Sequence, residues 1–220
     1  NININDLIFE LGLFDNKKIT TMITTILRER HSKENMTLKE LYELTNIKLT
    51  AKVCNSTKSC VEYISYENEP DISINLLLQM TTAIPFFFKP ITYKDNVYVD
   101  GGCAGGFATE IAGDNYIGIN LKGPWKSDKK KTTLLDEIPI ISFFISGLAI
   151  SCQDSSIPDS KKIIIPSDVH FTNFKLTLEE KQKLIDDGYN LTKQHILQYN
   201  LTNDNLSSKP DEGISPTEED

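Results

Sequence analysis

The stretch NVYVDGGCAGGFATEI, from Asn96 to Ile111, ends an apolar run on an aspartate that two glycines follow. The alternating residues of NVYVD predict a β-strand whose last residue is Asp100. Gly101 and Gly102 then indicate that the backbone turns tightly or comes close to another group. An acid in this place either ends the strand in a turn or takes part in chemistry.

Helices and strands alternate before this stretch. The sequence predicts helices over DNKKITTMITTILRERH, with Asp15 as N-cap, and over MTLKELYELT, where Thr37 and Glu40 form a capping box. IKLTAKVC and CVEYISY are predicted strands around the turn NSTKS. DISINLLLQMTTAI is a predicted helix that ends before Pro85.

The alternation continues after it. NYIGINL and KKIIIPS are predicted strands, LLDEIPIISFFISGLAISCQ is predicted to be mostly helix, and LTLEEKQKLIDDGYNLTKQHILQY is a predicted long amphipathic helix. Beyond Asn200 the residues are polar and acidic, and we expect disorder. The pattern predicts an α/β sheet covered on both faces. Ligands of such folds gather outside the carboxyl ends of the strands, where Asp100 lies.

Composition and charge exclude several partners. The chain of 220 residues is 39% hydrophobic and 25% charged, which is typical of a globular protein, and its net charge is −8. No basic stripe interleaved with aromatic residues is present, so neither nucleic acid nor strong attraction to anionic membranes is expected. The longest apolar run, Ile138 to Cys152, is shorter than the ~20 residues that span a bilayer. We therefore expect no membrane crossing.

The four cysteines form no CxxC pair and are too few for a disulfide scaffold. We expect free thiols in a reducing, cytoplasmic compartment. A pairing of Cys54 with Cys60 across the predicted hairpin is the alternative. The chain opens on Asn1 without a Met or a leader, and we expect it to be a fragment.

A complete set of catalytic residues is not found. The sequence contains no G-x-S-x-G elbow, and GGCAGG matches neither phosphate-binding pattern. The histidines are far apart and are predicted to be surface or packing residues, so no metal or cofactor is expected. The proximity of Asp168 to His170 is a weak signal. Cys103 has no histidine to activate it, and a small buried thiol is favoured over a nucleophile.

Four segments resemble successive landmarks of the patatin-like phospholipase family, in order and in spacing. They are GLFDNKKI (Gly12 to Ile19), MTLKELYELTNIKLTAKVCN (Met36 to Asn55), EPDISINLLLQMTTAIPFFFKPITYKDNVYVDGG (Glu69 to Gly102) and FTNFKLTLEEKQKLIDDGYNLTKQHI (Phe171 to Ile196). The combination of TTAIP with VYVDGG is the most specific of these signals.

The resemblance implies a three-layer α/β/α sandwich and a lipid acyl hydrolase with a Ser–Asp dyad. In the family the nucleophilic serine and a glycine-rich oxyanion loop precede the GLFD landmark, so we expect both before Asn1 and a fold that is incomplete at its N-terminus. Residues 1–198 would be the C-terminal part of the domain, and residues 199–220 an acidic tail. Asp100 matches the aspartate of the family's D-G-[GA] motif.

The resemblance also assigns roles. Asp100 would accept or orient the serine proton, and Gly101 and Gly102 would leave room for the serine. The family shows Asn and then Pro after this motif, whereas this chain has Gly106 and Ala108, so we expect a looser loop. The substrate would be a lipid or phospholipid at a membrane surface, with no metal or cofactor required.

Two questions stay open from the sequence. The rival function is a non-catalytic module of the same fold that binds a lipid surface or a protein. The helix around Phe143 and Phe144 is either a lipid-facing wall or, as we favour, a core helix. The 220 residues alone are expected to be inactive, because they lack the serine and the oxyanion loop.

Overall fold

A computed structural model describes residues 11–122, 156–167, 169, 176–199 and 201 of the chain. The chain divides into two compact units. The first contains residues 1–111 and 127–157, and the second contains residues 112–126 and 158–220. The predicted helix around Phe143 and Phe144, the pair Asp168 and His170, Cys152 and residues 202–220 of the acidic tail lie outside the described residues.

The first unit mixes short strands with three helices in its described part. The elements are β1 (Gly12–Phe14), α1 (Lys17–His31), α2 (Leu38–Thr45), β2 (Thr50–Asn55), β3 (Cys60–Ser65), α3 (Ile74–Thr81), β4 (Phe86–Phe88), β5 (Ile91–Tyr93) and β6 (Asn96–Asp100). Short 3-10 turns at Gly101–Ala104 and Thr109–Ile111 follow β6.

Four of these strands form an antiparallel sheet in the order β3-β2-β6-β5. The predicted hairpin around NSTKS is confirmed, with β2 and β3 paired from Thr50 opposite Ser65 to Asn55 opposite Cys60. A two-residue turn at Lys94 and Asp95, both with positive φ, joins β5 to β6. Such short connections can join only antiparallel strands. Separately, β1 and β4 form a parallel pair.

The helix ends follow the predicted signals with one correction. The capping box of α2 is confirmed, because Glu40 N donates to Thr37 Oγ1 at 3.2 Å and Thr37 N donates to Glu40 Oε2 at 3.0 Å. The prediction that Asp15 is the N-cap of α1 is wrong, because the helix begins after Asn16, which is its N-cap. Asp15 still accepts from Lys17 N at 2.8 Å, while the Asn16 amide donates to Gln79 O at 2.8 Å. Asn16 thus ties α1 to α3 instead of capping its own helix.

The core of the first unit lies between the helices and one face of the antiparallel sheet. Its buried residues come from both kinds of element: Leu27, Met36, Leu38, Val53, Ile64, Ile72, Ile74, Leu77, Met80 and Tyr98. Helix α1 contributes Ile23 and Leu27 to this core, whereas Ile26 is exposed.

The second unit, in its described part, pairs two parallel strands with one helix. These are β7 (Gly118–Lys122), β8 (Lys162–Pro166) and α4 (Leu178–Gln198). Ile163 and Ile165 on β8 are buried, and His195 on α4 is buried with its Nε2 3.0 Å from Ser160 O. Of the two positions predicted for the histidines, surface or packing, His195 has the second.

Candidate active site

Asp100 is the last residue of β6, an interior strand between β2 and β5. It lies opposite Val53 on β2, beyond the last residue of β6 that pairs with β5. Its N–H donates instead to Ala83 O, just after α3, at 3.0 Å. The predicted strand end at this aspartate is confirmed.

The Asp100 carboxylate is partly buried and accepts a hydrogen bond from the backbone. Gly102 N donates to Asp100 Oδ1 at 2.6 Å. Burial raises the pKa of the Asp100 carboxyl above its usual value, and the Gly102 N–H, which favours the charged form, reduces this effect only in part. A carboxylate with a raised pKa is a stronger proton acceptor than an ordinary surface aspartate.

The two glycines after Asp100 are required for different reasons. A Cβ on Gly101 would lie 2.2 Å from Lys52 O, the main chain of β2, where no atom can give way. A Cβ on Gly102 would meet Asp100 Oδ1 at 3.0 Å and nothing closer. Gly101 thus permits the contact with β2, while the space beside Gly102 borders the carboxylate itself.

A buried lysine holds the segment that follows the glycines. The side chain of Lys52 is 9% exposed, and its Nζ donates to Ala104 O at 2.9 Å and Phe107 O at 3.1 Å, with Gly105 O at 3.4 Å. Glu110 Oε1 lies 3.6 Å from the same nitrogen. One ammonium on β2 therefore ties down the loop that begins at Asp100.

Glu110 links this lysine to the neighbouring strand. Tyr63, opposite Lys52 in the β2–β3 register, donates its hydroxyl to Glu110 Oε2 at 2.6 Å. Burial and then this hydrogen bond raise the pKa of Tyr63. Burial would raise the pKa of Glu110, but the Tyr63 hydrogen bond and the charge of Lys52 outweigh it and lower that pKa. Lys52 therefore holds the loop from Ala104 to Phe107, and Tyr63 and Lys52 hold it at Glu110.

Sequence reasoning missed Lys52, Glu110 and Tyr63. A signal for Lys52 was present, since it stands between Ala51 and Val53 in a strand predicted to lie in the sheet. A lysine that is buried in such a strand needs partners for its ammonium. The partners themselves lie 52 to 58 residues further along the chain, beyond the reach of any local pattern.

The cysteines do not form the alternative disulfide. Cys54 and Cys60 are free thiols, and the register sets Cys54 opposite Val61 and Cys60 opposite Asn55. Burial raises the pKa of the Cys54 thiol, which disfavours the reactive thiolate. Cys103 lies partly buried in the turn after Asp100.

Within the described ranges, no group of three or more His, Cys, Asp or Glu side chains is arranged to hold a metal ion. Among the same residues, no helix has both the length and the apolar character to cross a bilayer.

Residues 1–112 match the sequence model of the family described as patatin-like phospholipase. The chain belongs to this family, and the matched range contains Asp100 and both glycines.

Two viral proteins are similar to the chain. It is 33% identical over 189 residues, 80% of this chain and 61% of the other, to "Probable lipid hydrolase 463L" of Invertebrate iridescent virus 6. It is 23% identical over 203 residues, 86% of this chain and 66% of the other, to "Uncharacterized protein R571" of Acanthamoeba polyphaga mimivirus. The chain thus spans less than two thirds of either relative's length.

A solved structure shares the fold. The crystal structure of VipD from Legionella pneumophila superposes with a TM-score of 0.52 at 18% identity, covering 76% of this chain and 36% of that one. Together with the family match, this likeness confirms the predicted class, an α/β fold of the patatin-like kind.

Proposed function

We propose that this chain is part of a lipid acyl hydrolase that cleaves carboxylic esters of phospholipids or neutral lipids with a Ser–Asp dyad, and that it supplies the aspartate. The observation that carries the proposal is the Asp100 carboxylate. It lies at the end of an interior strand, partly buried, with a raised pKa and a fixed backbone donor. Membership of the family and the name of the iridescent virus relative support the substrate class.

The proposed reaction needs one proton acceptor in this chain. A serine upstream of Asn1 transfers its proton to Asp100 as its oxygen attacks the ester carbonyl. Backbone N–H groups of an upstream loop stabilise the oxyanion, and the alcohol leaves with the proton from Asp100. Water then attacks the acyl-serine and gives one proton to the same carboxylate. The serine oxygen leaves with that proton, which releases the fatty acid and restores the dyad. No metal or cofactor enters this scheme.

The proposal extends to the setting of the enzyme. Residues 1–198 form the C-terminal part of the catalytic domain, and residues 199–220 form an acidic tail. The protein works in the cytoplasm at the surface of a membrane that contains its lipid substrate. The rival function is a non-catalytic module of the same fold that binds a lipid surface or a protein.

The test compares the complete encoded protein with the 220-residue chain. Each is incubated with phosphatidylcholine liposomes, with p-nitrophenyl esters and with a fluorescent fluorophosphonate, next to a heat-killed control. We expect the complete protein to release fatty acid and to be labelled on one upstream serine, and the chain alone to do neither.

Two outcomes contradict this expectation. If the complete protein binds liposomes but neither hydrolyses them nor reacts with the fluorophosphonate, the non-catalytic reading is right. If the chain alone turns over the esters, the nucleophile lies within it, and Cys103 becomes the first residue to substitute.

A further inference from the structure

The loop after Asp100 surrounds a buried positive charge on β2 that the proposed reaction does not use. Lys52 Nζ lies among three main-chain carbonyls of residues 104–107, and its side chain is 9% exposed. Removing an ammonium from water is costly unless hydrogen bonds replace the lost hydration. The three carbonyls and the Glu110 carboxylate supply that replacement.

Lys52 contacts the Asp100 segment with its main chain as well. Its carbonyl accepts from Thr81 Oγ1 at 2.8 Å and fills the space where a Cβ of Gly101 would lie. The same residue therefore fixes the first residue after Asp100 by close packing and the residues from Ala104 onward by hydrogen bonds. Gly102, whose N–H holds the carboxylate, lies between these two points.

We propose that Lys52, with Glu110 as its partner, is a positioning residue for the hydrolase reaction that holds the loop so that the Gly102 N–H stays on the Asp100 carboxylate. This inference rests on the proposed function, in which Asp100 is the proton acceptor. In this proposal Lys52 acts on Asp100 through the loop.

Lys52, Tyr63 and Glu110 together form a clamp on the loop after Asp100. The two carboxylate oxygens of Glu110 reach Lys52 on β2 and Tyr63 on β3, at 3.6 Å and 2.6 Å. Because Lys52 and Tyr63 face each other across the two strands, the loop is held across the width of the hairpin. Loss of the ammonium would remove its hydrogen bonds to the carbonyls of Ala104 and Phe107 and loosen the loop.

The pH dependence of the reaction reports this loosening. The Gly102 N–H lowers the pKa of Asp100, so loss of that hydrogen bond raises it further. Among the described residues, the other titratable groups near this segment are Lys52 and Cys54 from β2, Tyr63 from β3, and Cys103 and Glu110 in the loop. Removal of the Lys52 charge also raises the pKa of Glu110, because that charge lowers it. The acid limb is therefore compared between Glu110→Ala and the double variant of Lys52→Met with Glu110→Ala, where a shift is assigned to Asp100.

The experiment uses the complete encoded protein and mixed micelles or liposomes of phosphatidylcholine. Lys52→Met keeps the aliphatic stem and removes the ammonium. We expect kcat to fall about 10- to 100-fold, because small displacements of a reacting group cost this much, while KM stays within about threefold. The acid limb of the kcat/KM profile should move to higher pH. Lys58→Met is the matched control. Lys58 is an exposed lysine in the turn before β3, and its Nζ lies 3.3 Å from Glu62 Oε1. We expect this variant to leave kcat, KM and the acid limb unchanged.

Glu110→Ala, the double variant and Asp100→Asn complete the set. Glu110→Ala removes a largely exposed side chain, so it should fold even if Lys52→Met does not, and we expect kcat to fall about two- to fivefold with KM unchanged. If Lys52→Met fails to fold, the result for Glu110→Ala decides: wild-type kcat contradicts the inference. Asp100→Asn tests the underlying function in the same assay.

The outcomes separate the two claims. If Asp100→Asn is inactive but Lys52→Met has wild-type kcat, the inference is wrong and the proposed function stands. If Lys52→Met loses kcat, liposome binding and melting temperature together, and the acid limb does not move between Glu110→Ala and the double variant, Lys52 is only structural and the inference is again wrong. If Asp100→Asn keeps its activity, both claims fall.

Discussion

The two units of the chain differ in how they bury apolar residues. In the first, helices and strands together enclose a cluster that includes Leu77 and Val53, each at most 1% exposed. In the described part of the second, β8 buries Ile163 and Ile165, but β7 leaves Ile119 and Leu121 more than half exposed. Ile185 on α4 is 63% exposed.

The candidate site lies in the first unit, which is the better packed of the two. Asp100, its glycines and the Lys52 clamp all belong to the first unit, and the family match covers residues 1–112. Buried side chains in native rotamers hold the strands in place, so the position of a carboxylate at a strand end depends on that packing. Substitutions in the first core should therefore alter the site, whereas exposed apolar residues of the second unit should be tolerated.

The largest effect on stability is expected from the first core. Leu77→Ala should lower the free energy of unfolding by about 2–5 kcal/mol, because the side chain is almost fully buried and its loss leaves a cavity. Ile185→Ala in the second unit should change it by less than about 0.5 kcal/mol. Urea unfolding of both variants checks the contrast. Equal losses would mean that the two units do not differ in this way.

A smaller effect is expected at the glycines beside Asp100. Gly101→Ala should destabilise by about 1–3 kcal/mol, because its methyl group would overlap the Lys52 carbonyl. Gly102→Ala should be milder in unfolding, since its methyl group meets only the Asp100 carboxylate, which can rotate. Thermal melts of the two variants separate these cases. A Gly102 variant that is the less stable of the two would contradict the packing described here.

A pH-dependent effect on stability is expected at Asp100. Its folded-state pKa is raised, mainly by burial, so between the unfolded and folded pKa values the unfolded chain has already lost the proton that the folded chain keeps. Wild-type stability therefore falls as pH rises through this window, and Asp100→Asn escapes the loss. The melting temperature of the mutant minus that of the wild type should increase from pH 4 to pH 7. A difference in melting temperature that shrinks over this range would mean that folding stabilises the ionised carboxylate and lowers its pKa.

Local signals in the sequence predicted much of this arrangement. The capping box of Thr37 and Glu40, the hairpin of β2 and β3 and the strand ending on Asp100 all depend on residues within a few positions of one another. The strands β1, β4 and β5 were not predicted, because three residues are too few to show an alternating pattern. The turn at Lys94 and Asp95 adopts positive φ without the glycine that usually marks it.

The residues of the candidate site also divide into those that local sequence signals predicted and those that they did not. Asp100, Gly101 and Gly102 were found because they are adjacent and match a family motif. The clamp of Lys52, Tyr63 and Glu110 was not found, because it joins a hairpin to a loop some 50 residues later and leaves no spacing to recognise. Position along the strand is a local property, whereas the partners of a buried charge depend on the tertiary fold.

The most direct test of the central claim is the turnover of Asp100→Asn in the complete encoded protein. The amide is isosteric with the carboxylate and can keep the hydrogen bond from Gly102, but it cannot accept the serine proton. We expect kcat for liposome hydrolysis to fall at least about 100-fold, with liposome co-sedimentation and folding retained, because the loss falls on the transition state. Hydrolysis within a few fold of wild type would show that Asp100 only ends a strand in a turn, and the dyad would be wrong.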